Sequence, residues 1–194
     1  MKNLLKIFGL VVITVAFAFT PVEKKTVVID VSHGGHDSGV EQNGISEKEV
    51  VLSVAKYLKE LNKDDNIEIV LTRDVDNFLS LTERVELINS VKPDLAISLH
   101  VNSSKNENAN GVELFISDNS EKKEQSRKLA VKLQNIIQYN KSEIKKANFY
   151  LLKNVNYPIV VLELGFLTNQ QDRVLLTSEE GQIEIAKAVY EAIR

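Results

Sequence analysis

The chain has no cysteine. That excludes disulfides and thiolate-bound metal, so any metal must be held by His, Asp or Glu. Positive charge is not in surplus either: 24 Lys and Arg face 27 Asp and Glu, a formal net of −3. Neutralising phosphate takes a basic face, so nucleic acid is not expected as a partner. There is no internal repeat, no low-complexity tract and no Pro/Gly/Ser-rich linker to divide the 194 residues into several domains. A membrane span takes roughly 20 apolar residues, whereas the uncharged run at 7–19 has 13. Lys2 and Lys6 lie ahead of that run, and small residues Ala16 and Ala18 lie near its end. This is the pattern of a secretory signal peptide or a retained N-terminal anchor. Residues 1–20 are assigned to it, and the protein is expected to be exported.

Hydrophobic residues make up 43% of the chain, enough for a core of its own. Short apolar runs alternate with longer helical patterns from residue 26 to residue 194. The runs TVVID (26–30), IEIVLT (67–72), DLAISLHV (94–101), GVELFIS (111–117), FYLL (149–152) and PIVVLEL (158–164) read as strands. EVVLSVAKYLKELN, LTERVELINSV, residues 120–139 and IEIAKAVYEAI carry helical spacing. The expected fold is a single α/β domain: a mostly parallel central sheet of about six strands with helices on both faces. Two helix starts, Ser46 to Glu49 and Ser80 to Glu83, fit the Ser-x-x-Glu capping box.

Open α/β sheets bind ligands beyond the carboxyl ends of their strands. Two of the chain's three histidines, His33 and His100, fall there, and so does Glu163. Glu47 opens the helix after the first loop. Two His and one Glu form a ligand set used by catalytic zinc, and a further carboxylate close by can move protons. His33, Glu47 and His100 are therefore candidate ligands of one Zn2+ per chain, and Glu163 is the candidate general base. Taken singly, each histidine reads more readily as a hydrogen-bonded structural residue than as a ligand, and Glu47 as an acid at a helix start. Glu163 is harder to read that way, because it interrupts the apolar run IVVLELGFL, where an unpaired carboxylate is costly. His36 is expected to face solvent, and Asp30 and Asp37 to hold the shape of the loop VSHGGHDSG, whose glycines Gly34, Gly35 and Gly39 let it turn tightly. A phosphate loop is disfavoured. Neither Gly-x-x-x-x-Gly-Lys-Ser/Thr nor Gly-x-Gly-x-x-Gly is present, and Glu47 would repel phosphate.

Five segments in order resemble the zinc-dependent N-acetylmuramoyl-L-alanine amidases of bacterial cell-wall turnover. They are IDVSHGGHDSG, GISEKEVVL, LTRDVDNFLSLTERVELIN, SLHVNSS and PIVVLELGFLTNQQD. The likeness departs at Val31-Ser32, where the family has Pro-Gly. It implies the same four residues in the same roles: His33, Glu47 and His100 on zinc, and Glu163 as base. It further implies an amidase domain over 26–194, peptidoglycan as substrate, and a place in the periplasm, the cell wall or the extracellular space. No wall-binding module is recognisable, and a minimal catalytic domain, monomeric, is expected. Whether an activator protein is needed is not legible in these residues. Two rival readings share the fold and the residues: a zinc carboxypeptidase acting within the stem peptide, and a non-catalytic wall-binding domain.

Overall fold

The computed structural model describes residues 24–118 and 122–194. The leader assigned to 1–20 lies outside these residues. Among the described residues, no helix is long and apolar enough to cross a membrane.

A six-stranded sheet organises the chain. Its strands are β1 (Lys25–Val31), β4 (Ile67–Leu71), β5 (Leu95–Asn102), β6 (Val112–Ile116), β7 (Ser142–Lys146) and β8 (Ile159–Phe166), in the order β4-β1-β5-β8-β6-β7. Every pairing is parallel except that of β6 with β8. A small hairpin, β2 (Glu41–Gln42) with β3 (Ile45–Ser46), stands apart from the sheet. The described helices are α1 (Glu47–Leu61), α2 (Leu81–Val91), α3 (Lys123–Ile136), α4 (Tyr150–Asn154), α5 (Gln170–Thr177) and α6 (Glu179–Ile193).

Alternation along the strands divides the apolar residues between two cores. Val27, Ile29, Ile97, Leu99, Leu162 and Leu164 face α1, α3 and α6, meeting Val54, Leu58, Leu133, Ile185 and Val189. Val28, Ala96 and Val161 face the other way, onto Val85 and Ile88 of α2 and Leu151 and Leu152 of α4. A strand covered on both faces must be apolar at nearly every position, which is why β1, β5 and β8 read as continuous hydrophobic runs. On the second face the pattern changes toward the strand ends. Val28 is followed two residues on by Asp30, Ala96 by Ser98 and then His100, and Val161 by Glu163. The core stops and a polar rim begins where the strands emerge.

Three local expectations are corrected. FYLL is not a strand. Residues Tyr150–Asn154 form α4, with the Asn154 amide closing the turn on the Tyr150 carbonyl at 2.8 Å and Leu151 and Leu152 buried. A short apolar run fits a buried helix turn as well as a strand. The sixth strand is instead β7, SEIKK, whose side chains are exposed or half-buried and so carry no apolar signal. The capping box at Ser46 does not close either. The Ser46 hydroxyl donates to the Glu49 carboxylate (2.8 Å) rather than capping the backbone, whereas the box at Ser80 and Glu83 forms in full.

Candidate metal centre

The rim at the carboxyl ends of β1, β5 and β8 gathers the predicted residues. His33, Glu47 and His100 each offer a ligand atom, and the three atoms lie within 4.8 Å of one another. The Glu47 carboxylate is their meeting point. Its Oε1 is 3.1 Å from His33 Nε2 and 2.9 Å from His100 Nδ1. The imidazole rings stand edge to face, 5.3 Å apart. Glu47 is buried, and the backbone prepares it for that: Val101 N–H donates to Oε1 and Val40 N–H to Oε2, both at 2.9 Å. The hairpin β2–β3 leads straight into this residue, so Glu47 is fixed at the first position of α1.

His100 arrives by strand register. It is the sixth residue of β5, opposite Glu163 on β8, and the β5–β8 ladder slips between His100 and Asn102. Such irregularities are common where a sheet edge is re-aimed beside a site. His33 arrives differently. Its backbone is left-handed, with φ 57°, a conformation costing a side-chain-bearing residue roughly 1–2 kcal/mol. Two buried arginines hold it there. Arg84 donates to the carbonyls of Val31 (3.0 Å) and His33 (2.7 Å), and Arg73 to those of Val31 (3.1 Å) and Ser32 (2.8 Å). Asp30, fully buried, anchors this arrangement through Thr72 (3.0 Å), Ser98 (2.7 Å) and Arg84 (3.5 Å). Asp37 takes His33 Nδ1 at 2.8 Å and Gly39 N–H at 3.1 Å. Nδ1–H donated to Asp37 leaves Nε2 with its lone pair toward Glu47. Gly39 itself cannot be replaced cheaply: a Cβ there would lie 2.4 Å from Glu47 Oε2.

Asp30 and Asp37 thus hold the loop as expected, and His36 lies exposed against Phe78, with ring centroids 4.2 Å apart. Arg73 and Arg84 were not assigned roles from the sequence. Their signal was the segment LTRDVDNFLSLTERVELIN, but what they bind is backbone carbonyls, which sequence does not display.

The electrostatics follow from burial and contact. Burial alone would raise the Glu47 carboxyl, but hydrogen bonds and charge from His100 and His33 outweigh it and hold the group well below the usual carboxylate range. Burial disfavours the charged His33 ring, yet Glu47 and Asp37 together push its pKa up. Glu163 behaves in the opposite way. Burial pushes it up to about 7, against the pull of His100 and with help from the charges of Glu47 and Glu113. Its Oε2 is buried and has no hydrogen-bond partner among the described residues. Glu113 sits directly across from it on β6 and is itself paired with Lys145 at 2.6 Å.

The site therefore holds an ionised carboxylate with two imidazoles at hand, and one strand away a second carboxylate that protonates near neutrality. Comparison with known proteins agrees. The family model described as N-acetylmuramoyl-L-alanine amidase (Amidase_3) matches residues 27–194. YqiI of Bacillus subtilis is 38% identical over 92% of this chain and 87% of its own length. The amidase LytC of the same organism is 34% identical over 88% of this chain, which spans only 35% of LytC. The crystal structure of an N-acetylmuramoyl-L-alanine amidase from Clostridium difficile superposes with a TM-score of 0.82 at 31% identity, covering 88% of this chain and 95% of that one. By sequence match along nearly all the described residues and by shared architecture, the chain belongs to the N-acetylmuramoyl-L-alanine amidase (Amidase_3) family.

Proposed function

We propose that this domain hydrolyses the amide joining the lactyl group of N-acetylmuramic acid to the L-alanine of the peptidoglycan stem peptide. One zinc ion per chain would be held by His33, Glu47 and His100, and Glu163 would serve as general base. The observation that carries the reading is the pairing of His100 with Glu163 in register: it sets a half-buried carboxylate, one of whose oxygens is enclosed and unpartnered, beside the ligand cluster.

The residues fit a divalent cation. Two imidazole nitrogens converge on one carboxylate oxygen, and without a metal both rings would have to give protons to that oxygen. A cation takes the place of those protons. The donor set, two His and one Glu, is a catalytic zinc set, and the Glu47 charge offsets part of the ion's own. When bound, zinc supplies Lewis-acid polarisation of the scissile carbonyl and favours the attack of water. This chain's residues do the rest. Glu163 accepts the proton of the attacking water and returns it to the nitrogen of the departing L-alanine, which leaves as a neutral amine. A carboxyl raised to about 7 is suited to both halves of that exchange, since it gives up and takes back a proton near neutral pH. Asp37 keeps the His33 ring in the required tautomer and orientation. The domain is assigned to peptidoglycan outside the cytoplasmic membrane, as a monomer.

The test uses protein lacking residues 1–20. Glu163→Gln is expected to keep its zinc and lose roughly 10²–10⁴-fold in the rate of wall hydrolysis, whereas His100→Ala should lose zinc and activity together. The products should be intact stem peptides with a free N-terminal L-alanine. Release of single terminal amino acids would mean a carboxypeptidase, and a wild-type rate in Glu163→Gln would remove that residue from the mechanism.

A further inference from the structure

A groove is built on the segments that lead to and from the metal centre. Its volume is about 540 Å³, within the ~300–1,000 Å³ range of ligand sites, but its chemistry differs from the usual apolar pocket. Side-chain amides dominate its lining, Gln42, Asn43, Asn108, Asn110, Gln170 and Gln171 among them, and Glu107 is its one acid. It contains no aromatic ring and no lysine, and its one cation, Arg173, already donates to the Leu167 carbonyl at 2.9 Å.

Three segments build the groove, and each carries a residue of the metal centre or its neighbour. The hairpin with Gln42 and Asn43 runs into Glu47. The loop with Asn108 and Asn110 follows His100, and the turn with Gln170 and Gln171 follows Glu163. The last two are tied together. Leu167 N–H donates to the Asn102 carbonyl (2.9 Å), Ser104 N–H to the Thr168 hydroxyl (3.0 Å), and the Asn169 amide to the Glu107 carbonyl (2.8 Å). Asn43 and Gly44 both have positive φ, 53° and 78°, the two-residue Asn-Gly turn that makes a tight hairpin. The amides thus stand on a fixed frame. Among the described residues, the side-chain amides of Gln42, Asn43, Gln170 and Gln171 make no hydrogen bond within the protein.

A carboxamide offers two donors and an acceptor at one position. Hydroxyl and acetamido groups, which also both donate and accept, are its natural complement. Phosphate or a strongly acidic peptide would call for more cations than Arg173, whose charge Glu107 offsets in the lining, and an apolar ligand would strand the amides. We infer that this groove is a saccharide subsite, taking an N-acetylated amino-sugar unit of the glycan strand beside the muramoyl residue whose amide is cut. The inference rests on the amidase reading for the identity of the strand, and on the groove alone for the class of ligand. With no aromatic platform, binding per sugar is weak, and selectivity comes from many amide contacts in sequence along a polymer.

The test is a titration followed by NMR on the side-chain NH2 resonances of Asn and Gln, with a peptide-free oligomer of β-1,4-linked N-acetylglucosamine as probe. Saturable shifts of the groove amides at millimolar oligomer are expected. A triple variant, Asn43→Gly, Gln170→Ala and Gln171→Ala, should bind roughly tenfold more weakly or worse. Glycine accepts the positive φ of residue 43, and alanine is at home in the first turn of α5, so the variant should keep its fold. The same variant should lose turnover on intact wall while cleaving a muramoyl monosaccharide–peptide as the wild type does. Absent shifts, unchanged shifts in the variant, or equal losses on both substrates would overturn the subsite. The two readings fail separately: shifts in a protein that cleaves no wall would keep the groove and sink the amidase, and cleavage without shifts would do the reverse.

Discussion

His33 and His100 reach the same carboxylate oxygen by opposite routes. His100 stands in a strand whose backbone is paired with β1 and β8, and register alone points it at Glu47 and beside Glu163. His33 stands in a left-handed loop that regular structure would not produce, held by two arginines, a buried aspartate and Asp37. The strand contributes a candidate ligand at almost no extra cost, because its hydrogen bonds belong to the sheet. The loop contributes one only while a separate set of side chains offsets its strain. Precision in the second case is a property of residues outside the His33–Glu47–His100 cluster.

The sharpest way to break this comparison is Arg84→Ala. It removes donors to the Val31, His33 and Leu79 carbonyls and leaves Asp30 without its cation. Loss of about 3 kcal/mol in urea unfolding is expected, with zinc affinity falling as well. His100→Ala in the metal-free protein should cost no more than about 1 kcal/mol, since its backbone stays in the ladder. Equal losses would mean that the loop is no more dependent than the strand.

Asp37→Ala sharpens the contrast from the side of the metal. The ring of His33 loses its orienting partner but not its backbone support. Zinc affinity should fall roughly 10–100-fold, measured by competition with a chelator, with little change in melting temperature. An unchanged affinity would make Asp37 a loop tether only.

The smallest effect concerns Glu163, which β8 places as regularly as β5 places His100. Its carboxyl is raised from 4.5 to about 7, chiefly by burial. A raised acid favours the fold while protonated, so that contribution is full below pH 4.5 and is lost as pH rises through about 7. In metal-free protein, Glu163→Gln should therefore melt higher than wild type at pH 8 and nearly the same at pH 4.5. A difference of the opposite sign would show that the charge is stabilised by partners instead.

These differences also explain what could be read in the sequence. β1, β5 and β8 were legible because they are buried on both faces and must be apolar throughout. The candidate site residues His100 on β5 and Glu163 on β8 stood out against that background, Glu163 most of all. β7 carries no strand signal because its pairing with β6 is made by backbone alone and its side chains are exposed or half-buried. FYLL carried the apolar signal instead, and the packing of Leu151 and Leu152 against the second face decided for a helix. α5, eight residues long, is set by Asn169 accepting from Gln171 and Asp172 N–H, a cap without a long apolar stripe behind it. The roles of Arg73 and Arg84 were illegible for another reason. Their partners are carbonyls, which every residue has, so nothing in the letters distinguishes the acceptors.

β7 closes one side of the sheet, and its outward charges have a use beyond this domain's own fold. Glu143, Lys145 and Lys146 line the strand, with Lys145 paired to Glu113 and Glu143, and Lys146 to Asp118. A second copy that tried to add its own strand here would have to strip water and counter-charge from each of them. The edge is therefore a poor template for strand addition by another copy of the domain.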